Sequence, residues 1–128
     1  MGKMSLERFK AEHCKALADY EDKGPAFTLK HKGEIVASAG FYVLWPGVAE
    51  AWMVTTPLVY KYPVLFIKET INVFKKVYAM EKFYRIQATV RATDRRAVKF
   101  LEHLGFEIEG YLRKYGPDRS DHFVMGRV

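Results

Sequence analysis

The stretch from Val90 to Arg113 constrains the fold most, because it combines the signals of a helix and of the strands on either side of it. Asp94 can accept hydrogen bonds from the amides of a first helical turn, and Gly105 can end the same helix in the left-handed conformation. Apolar residues recur at helical spacing between these two and mostly at period two after them. They are Ala97, Phe100, Leu101 and Leu104, then Phe106, Ile108 and Leu112. Alternation from Tyr84 to Val90 predicts a strand before the helix.

The same stretch contains a family pattern. Its matching residues are Val90, Asp94, Arg96-Ala97, Phe100, Leu104-Gly105-Phe106 and Glu109-Gly110. They resemble the second conserved block of the GNAT N-acetyltransferases, in which an alternating strand precedes Asn-x-x-Ala, an aromatic residue, Leu-Gly-Phe and Glu-Gly. Asp94 stands where the family usually has Asn, which keeps the cap but changes its charge. The resemblance extends over about Ala26 to Val128 and is densest in this block.

The other segments predict the elements of one domain over residues 1–128. Residues Ser5 to about Asp22 place Leu6, Phe9, His13, Leu17 and Tyr20 on one face of a predicted helix. The remaining predicted elements are an antiparallel hairpin of Ala26 to His31 and Glu34 to Leu44, a third strand of Glu50 to Thr55, and a helix from Pro63. The resemblance implies an α/β fold with a mixed, mostly antiparallel central sheet of about six strands and helices on both faces, truncated at the N-terminus relative to the family.

Composition narrows the function classes. A chain of 128 residues with 49% hydrophobic content suits one globular domain. No apolar run approaches the ~20 residues that cross a bilayer, so we expect a cytoplasmic protein without a membrane partner. A single cysteine, Cys14, and scattered histidines predict neither a disulfide framework nor a metal site. The net charge of +6 favours anionic partners, but the dispersed Lys and Arg residues disfavour nucleic-acid binding.

The resemblance implies acetyl-CoA as cofactor, bound by a loop of pattern Arg/Gln-x-x-Gly-x-Gly/Ala at a helix N-terminus. Aligning Thr56-Pro57 with the family's common His-Pro puts Tyr60 at the usual Arg and puts Lys61, Pro63 and Leu65 at the usual glycines. The loop therefore departs from the family, although Lys61 can still attract a phosphate. The implied cofactor-binding residues are Val54, Thr55, Tyr60, Lys61, Val64, Asp94, Arg96 and Phe100.

The resemblance also implies a general base on or near the third strand and a tyrosine as general acid. Glu50 is the carboxylate on that strand; the alternative is a solvent-facing strand residue. Leu101 occupies the usual place of the tyrosine. Tyr111 and Tyr115 are the candidate substitutes, and the alternative for both is packing at a strand edge.

Two hypotheses about function follow. In the first, the protein transfers acetyl from acetyl-CoA to an unidentified amine. In the second, it keeps the fold without catalysis and binds a phage or host protein. The second rests on a resemblance to GNAT-like proteins of tailed phages, including internal virion proteins, in Trp52 to Thr55, Lys75-Lys76 and Phe100-Leu101; it would place the protein in a virion or the host cytoplasm. The exposed edge strands that we expect leave a homodimer open.

Overall fold

The structure is a computed structural model that describes residues 4–128. Its centre is a seven-stranded sheet in the order β1-β2-β3-β4-β5-β7-β6. The strands are β1 Ser5–Arg8, β2 Ala26–His31, β3 Glu34–Trp45, β4 Val48–Thr55, β5 Arg85–Arg91, β6 Glu107–Leu112 and β7 His122–Arg127. Among the strands of residues 4–128, only β4 and β5 pair in parallel. The predicted mixed, mostly antiparallel sheet is confirmed, with seven strands rather than about six.

Three α-helices connect the strands after β4: α1 Leu58–Lys61, α2 Pro63–Glu81 and α3 Arg95–His103. Pro63 begins α2 at the position where a missing amide proton costs nothing. The Asp94 side chain caps α3 by accepting a hydrogen bond from the Ala97 amide at 3.1 Å. Gly105 follows α3 with a φ of +94°, the left-handed conformation predicted for it.

The two faces of the sheet are covered differently. Helices α2 and α3 pack on one face, where Phe74 of α2 meets Phe41 of β3 with ring centroids 5.6 Å apart. The 3-10 segments Ala11–His13 and Lys15–Asp22 cover part of the other face. There, the Tyr20 ring lies 5.3 Å from the Trp52 ring of β4. Helical segments therefore lie on both faces of the sheet, as expected.

The predicted helix from Ser5 to about Asp22 is wrong. Residues Ser5–Arg8 form β1, which pairs with β2 from Ser5↔Lys30 to Arg8↔Phe27, and 3-10 segments follow it. The same apolar spacing of three to four residues is compatible with a short strand followed by 3-10 turns. A strand of four residues is too short to show a clear alternation of apolar and polar residues. Glu7 of β1 also forms an ion pair with Lys30 of β2.

Buried apolar residues form two separate clusters on the face covered by α2. The larger cluster lies between α2, α3 and strands β3 to β7; it contains Phe41, Ala49, Phe74, Val77, Phe83, Ile86, Ala88, Val90, Phe106 and Met125. The smaller cluster lies near α1 and contains Met4, Leu29, Val36 and Val59. Such burial is the main favourable term in folding. The two clusters leave a space between them under α2.

Candidate functional site

The parallel strands β4 and β5 separate in the middle of the sheet. They pair at Val48↔Arg85, Ala49↔Ile86 and Glu50↔Gln87 only. Beyond Glu50, β4 stays paired with β3 as far as Thr55, and β5 stays paired with β7 as far as Arg91. The sheet therefore opens as a wedge after Glu50, which we call the gap. Backbone groups of residues 51–55 and 88–91 that face the gap have no partner strand there.

A cavity of about 380 Å³ lies on the helix-covered side of the gap. Its floor includes Ala51 and Met53 of β4 and Ala88 and Val90 of β5. Its walls include Thr70, Val73 and Phe74 of α2 and Ala97, Phe100, Leu101 and Leu104 of α3. Most of these side chains are apolar. This volume falls within the range of small-molecule sites. The gap and the cavity together form the candidate site.

Helix α3 brings two predicted cofactor residues to this cavity. Asp94 and Phe100 both line it, and Asp94 also holds the first turn of α3 through the Ala97 amide. Arg96 lies in that first turn with its side chain exposed. The N-terminus of α3 therefore lies beside the cavity, with a carboxylate at its start and exposed cations next to it.

The segment aligned with the family's phosphate loop forms helix α1 and the start of α2. The Tyr60 amide donates to the Pro57 carbonyl at 3.1 Å, and the Tyr62 amide donates to the Leu58 carbonyl at 3.2 Å. Pro63 has no amide proton. The amides of Val64 and Leu65 lie in the first turn of α2, where backbone N–H groups have no hydrogen-bond acceptor within the helix.

The side chains of the same segment point mainly into solvent. Tyr60 is 71% exposed and Val64 is 79% exposed. Lys61 is also exposed, with its Nζ atom 5.6 Å from the centre of the Tyr62 ring. Val54 and Thr55 lie at the end of β4, where Thr55 lines the cavity. The structure thus places the predicted cofactor residues at the open end of the gap, on α1, and on the two helices beside the cavity.

Glu50 lies at the closed end of the gap, because it forms the last residue pair between β4 and β5, with Gln87. Side chains alternate along a strand, so Glu50 points away from the cavity that Ala51 lines. It is half-buried and pairs across β3 with Tyr42, whose ring lies 5.0 Å from Tyr20. The carboxylate therefore faces the side of the sheet that the 3-10 segments partly cover.

The two candidate tyrosines belong to the β6–β7 hairpin, apart from Glu50. Strand β6 is three positions from β4 in the sheet, a separation of about 14 Å at the usual strand spacing. The Tyr111 hydroxyl donates to Asp121, and this hydrogen bond raises the pKa of Tyr111. The Tyr115 ring lies 5.3 Å from the His122 ring. Its hydroxyl forms no hydrogen bond to any residue between 4 and 128.

Two carboxylates order the turn between β6 and β7. Hydrogen bonds from Ser120 and from the Arg91 guanidinium lower the pKa of Asp118. The hydrogen bond from the Tyr111 hydroxyl is the largest cause that lowers the pKa of Asp121. Both side chains therefore stay ionised to lower pH than free aspartate. They tie the turn to the end of β5, beside the mouth of the cavity.

Sequence reasoning missed Gln87 and the cavity itself. Gln87 lies opposite Glu50 at the closed end of the gap, with its Oε1 atom 3.2 Å from Arg85 Nε. That position depends on the register between β4 and β5, which no local pattern encodes. Within residues 4–128, no group of His, Cys, Asp or Glu side chains is arranged to hold a metal ion. None of the helices described in that range has the length and hydropathy to cross a membrane.

Solved structures share this fold. Ard1 from Thermoplasma volcanium matches with a TM-score of 0.83 and 14% sequence identity, covering 98% of this chain and 97% of that chain. The ribosomal-protein-S18-alanine N-acetyltransferase from Escherichia coli matches with a TM-score of 0.74 and 18% identity, covering 97% and 92%. The IAA acetyltransferase from Bacillus cereus matches with a TM-score of 0.78 and 11% identity, covering 98% and 99%. At such identities the likeness shows the fold alone.

The sequence gives the family. No curated protein matches it directly. The profile described as acetyltransferase (GNAT) domain matches residues 3–125, almost the whole chain. The match includes both strands of the gap and both helices beside the cavity. The chain therefore belongs to the GNAT family of acetyltransferases.

Proposed function

We propose that this protein is an N-acetyltransferase that moves an acetyl group from acetyl-CoA to the nitrogen of an amine. The observation that carries the proposal is the gap after Glu50, which opens into the apolar cavity under α2 and α3. Unpaired backbone groups along a gap can bind the two amides of a pantetheine arm. The backbone of Val54 and Thr55 supplies such groups at its open end.

The reaction uses the two sides of the sheet for its two substrates. The amine nitrogen attacks the thioester carbonyl carbon, the C–N bond forms, the C–S bond breaks, and CoA leaves as a thiolate. Glu50 takes the proton that the amine loses, because its carboxylate lies at the closed end of the gap on the side away from the cavity. The thioester therefore comes from the cavity side and the amine from the side of Tyr42 and Trp52.

The thiolate needs a proton donor. Tyr111 and Tyr115 are the candidates, and Tyr115 is the better one because the Tyr111 hydroxyl already donates to a carboxylate. The hairpin that carries both lies at the end of the sheet where the gap is open, since His122 pairs with Arg91. A Tyr115→Phe variant should lower kcat, whereas Tyr111→Phe should leave kcat nearly unchanged.

The phosphate end of the donor lies at the start of α2. Lys61 supplies a positive charge, and the amides of Val64 and Leu65 point out of the first turn of the helix. Tyr60 offers an exposed ring beside them. Arg96 adds a second exposed cation at α3, while Asp94 fixes that helix and Phe100 lines the cavity.

The test is a thermal-shift titration of the full chain with acetyl-CoA, CoA and adenosine 3',5'-bisphosphate, followed by release of the CoA thiol with a panel of amines. A ligand at 100 times its Kd stabilises the fold by about 2.7 kcal/mol, which for this chain length raises Tm by about 10 °C. Glu50→Gln should abolish thiol release and keep the shift. Glu34→Gln, on the exposed start of β3, is the matched control and should change neither. No shift at millimolar ligand would overturn the proposal.

One observation favours a second candidate, a non-catalytic GNAT-fold protein that binds a phage or host protein. Helix α1 engages the Tyr60 and Tyr62 amides where the family's loop offers amides to a pyrophosphate. The exposed apolar residues Val64 and Ile67 then supply a contact surface. A null titration with CoA, together with capture of one stoichiometric partner that Val64→Asp releases, would support this function.

A further inference from the structure

The cavity continues beyond the gap under helix α2. Its extension, which we call the apolar branch, is lined by Leu6 of β1, Phe27 and Leu29 of β2, and Ala37 and Ala39 of β3. The register places these side chains on one face, because Leu6 pairs with Leu29, Leu29 with Ala37, and Phe27 with Ala39. From β4 to β1 the branch crosses three strand spacings, about 14 Å.

The branch is a partly open groove between the sheet and α2, and Leu6 at its β1 end is exposed. Leu29 belongs to the smaller buried cluster and Phe27 packs against the larger one, so members of both line the branch. Phe27, Ala39 and Met53 are only half-buried, although their side chains point towards a helix. Well-packed interiors leave few voids larger than a water molecule.

The chemistry of the branch selects an apolar ligand. Thr70 is the buried polar residue on the α2 wall, and its hydroxyl donates to the Phe66 carbonyl at 2.8 Å. Arg91 and Asp94 lie at the open end of the gap, and Thr55 of β4 lies beside Ala37, where the branch begins. A water beyond Thr55 in the branch would meet mainly apolar side chains, and apolar surfaces of this kind favour hydrocarbon.

We propose that the preferred donor is an acyl-CoA with a medium-length hydrocarbon chain, which lies in the apolar branch while its thioester lies at the gap. This inference rests on the proposed transferase function and specifies its donor. The step is unchanged: the C–S bond breaks, the C–N bond forms, and the chain moves with the carbonyl carbon. Ala51 and Met53 line the passage from the gap, next to Phe41 and Ala39. An acetyl group has one methyl and leaves the branch empty.

The test measures the affinity of the full chain for CoA, acetyl-CoA, butyryl-CoA and octanoyl-CoA by calorimetric titration. Affinity should rise roughly fourfold for each methylene that enters the branch. Ala39→Leu places three extra carbons in the branch and should lower octanoyl-CoA affinity to that of acetyl-CoA. Ala79→Leu, on the exposed side of α2, is the matched control and should leave the series unchanged.

Equal affinities for acetyl-CoA and octanoyl-CoA would overturn the inference and leave the transferase standing. If no CoA compound binds, octanoyl-pantetheine, which lacks the nucleotide, separates the two claims. Its binding to the natural chain but not to Ala39→Leu would keep the branch as an acyl site and remove the CoA-dependent function. Failure of octanoyl-pantetheine to bind would remove both.

Discussion

Replacement of Asp94 by alanine tests whether one capping side chain holds α3, and with it a wall of the cavity. Asp94 accepts a hydrogen bond from the Ala97 amide at 3.1 Å, and no other carboxylate lies in the first turn of α3, which has Arg95 and Arg96 instead. Loss of the cap costs about 1 kcal/mol. Loss of the favourable charge at the helix N-terminus adds about 0.3–1 kcal/mol.

These terms convert into a measurable shift in Tm. An unfolding entropy of about 2.1 cal/mol/K per residue gives about 4 °C for each kcal/mol in a chain of 128 residues. Asp94→Ala should therefore lower Tm by about 5–8 °C. Thermal unfolding measures this shift, and urea unfolding at an unchanged slope checks that the denatured state is the same.

Asp94→Asn is the matched control, because asparagine keeps the hydrogen bond and removes only the charge. It should lower Tm by about 1–4 °C at low salt. Near 1 M salt, where the Debye length is about 3 Å, the difference between Asp and Asn should shrink while the alanine variant stays destabilised. Equal Tm values for the alanine and asparagine variants, or no effect of alanine, would refute this account of α3.

Three further outcomes follow from the fold. Gly24→Ala would place a Cβ atom in steric clash with the Phe41 carbonyl oxygen and should lower the free energy of unfolding, measured in urea, by about 2–4 kcal/mol. Gly33→Ala, with no atom within 4 Å of its Cβ, should lower it only by the backbone strain of about 1 kcal/mol. Equal losses for the two variants would contradict the steric explanation. Phe74→Ala should cost about 3–5 kcal/mol, since Phe74 is buried in the larger cluster, and a loss below about 1 kcal/mol in the same assay would contradict that role. Because the pKa of Asp118 is lowered in the fold, its stabilising effect should be present above about pH 4 and be lost as pH falls through the lower folded value. Asp118→Asn should therefore flatten the profile of Tm between pH 2 and 6, and parallel profiles would show that the carboxylate has no such effect.

Capping and turn residues correctly predicted α3 and the hairpin of β2 and β3. The cap at Asp94 and the stop at Gly105 fixed α3 to within two residues. The predicted hairpin of β2 and β3 turns at Gly33, which takes a φ of +81° that few other residues adopt. In each case the residue types determine a backbone conformation over a short range, so no long-range contact is needed for the prediction.

The N-terminal segment failed for the opposite reason. Whether Ser5–Arg8 becomes helix or strand depends on β2, which lies about twenty residues further along the chain and supplies its backbone partners. The same limit applies to the site. Glu50 and the glycine-free loop could be identified from the sequence. The opening of the gap after Glu50 could not, because it depends on the register of β4 and β5, which are separated along the chain by α2. The apolar branch depends on the pairing of four strands, β1 to β4, which no local pattern encodes.

The start of α2 and the apolar branch should contribute differently to the binding free energy of the acyl-CoA donor. Helix α1 engages two amides and Pro63 lacks a third, so fewer charge-assisted hydrogen bonds, each about 1.5–3 kcal/mol, remain for phosphates. The apolar branch supplies about 0.8 kcal/mol for each buried methylene, so about two to four methylenes offset the loss of one such bond. Binding of a medium-chain acyl-CoA should therefore depend weakly on salt, because hydrocarbon burial is not screened by ions. If a change from about 0.05 M to about 0.5 M salt abolished octanoyl-CoA binding, the phosphates rather than the branch would hold the donor.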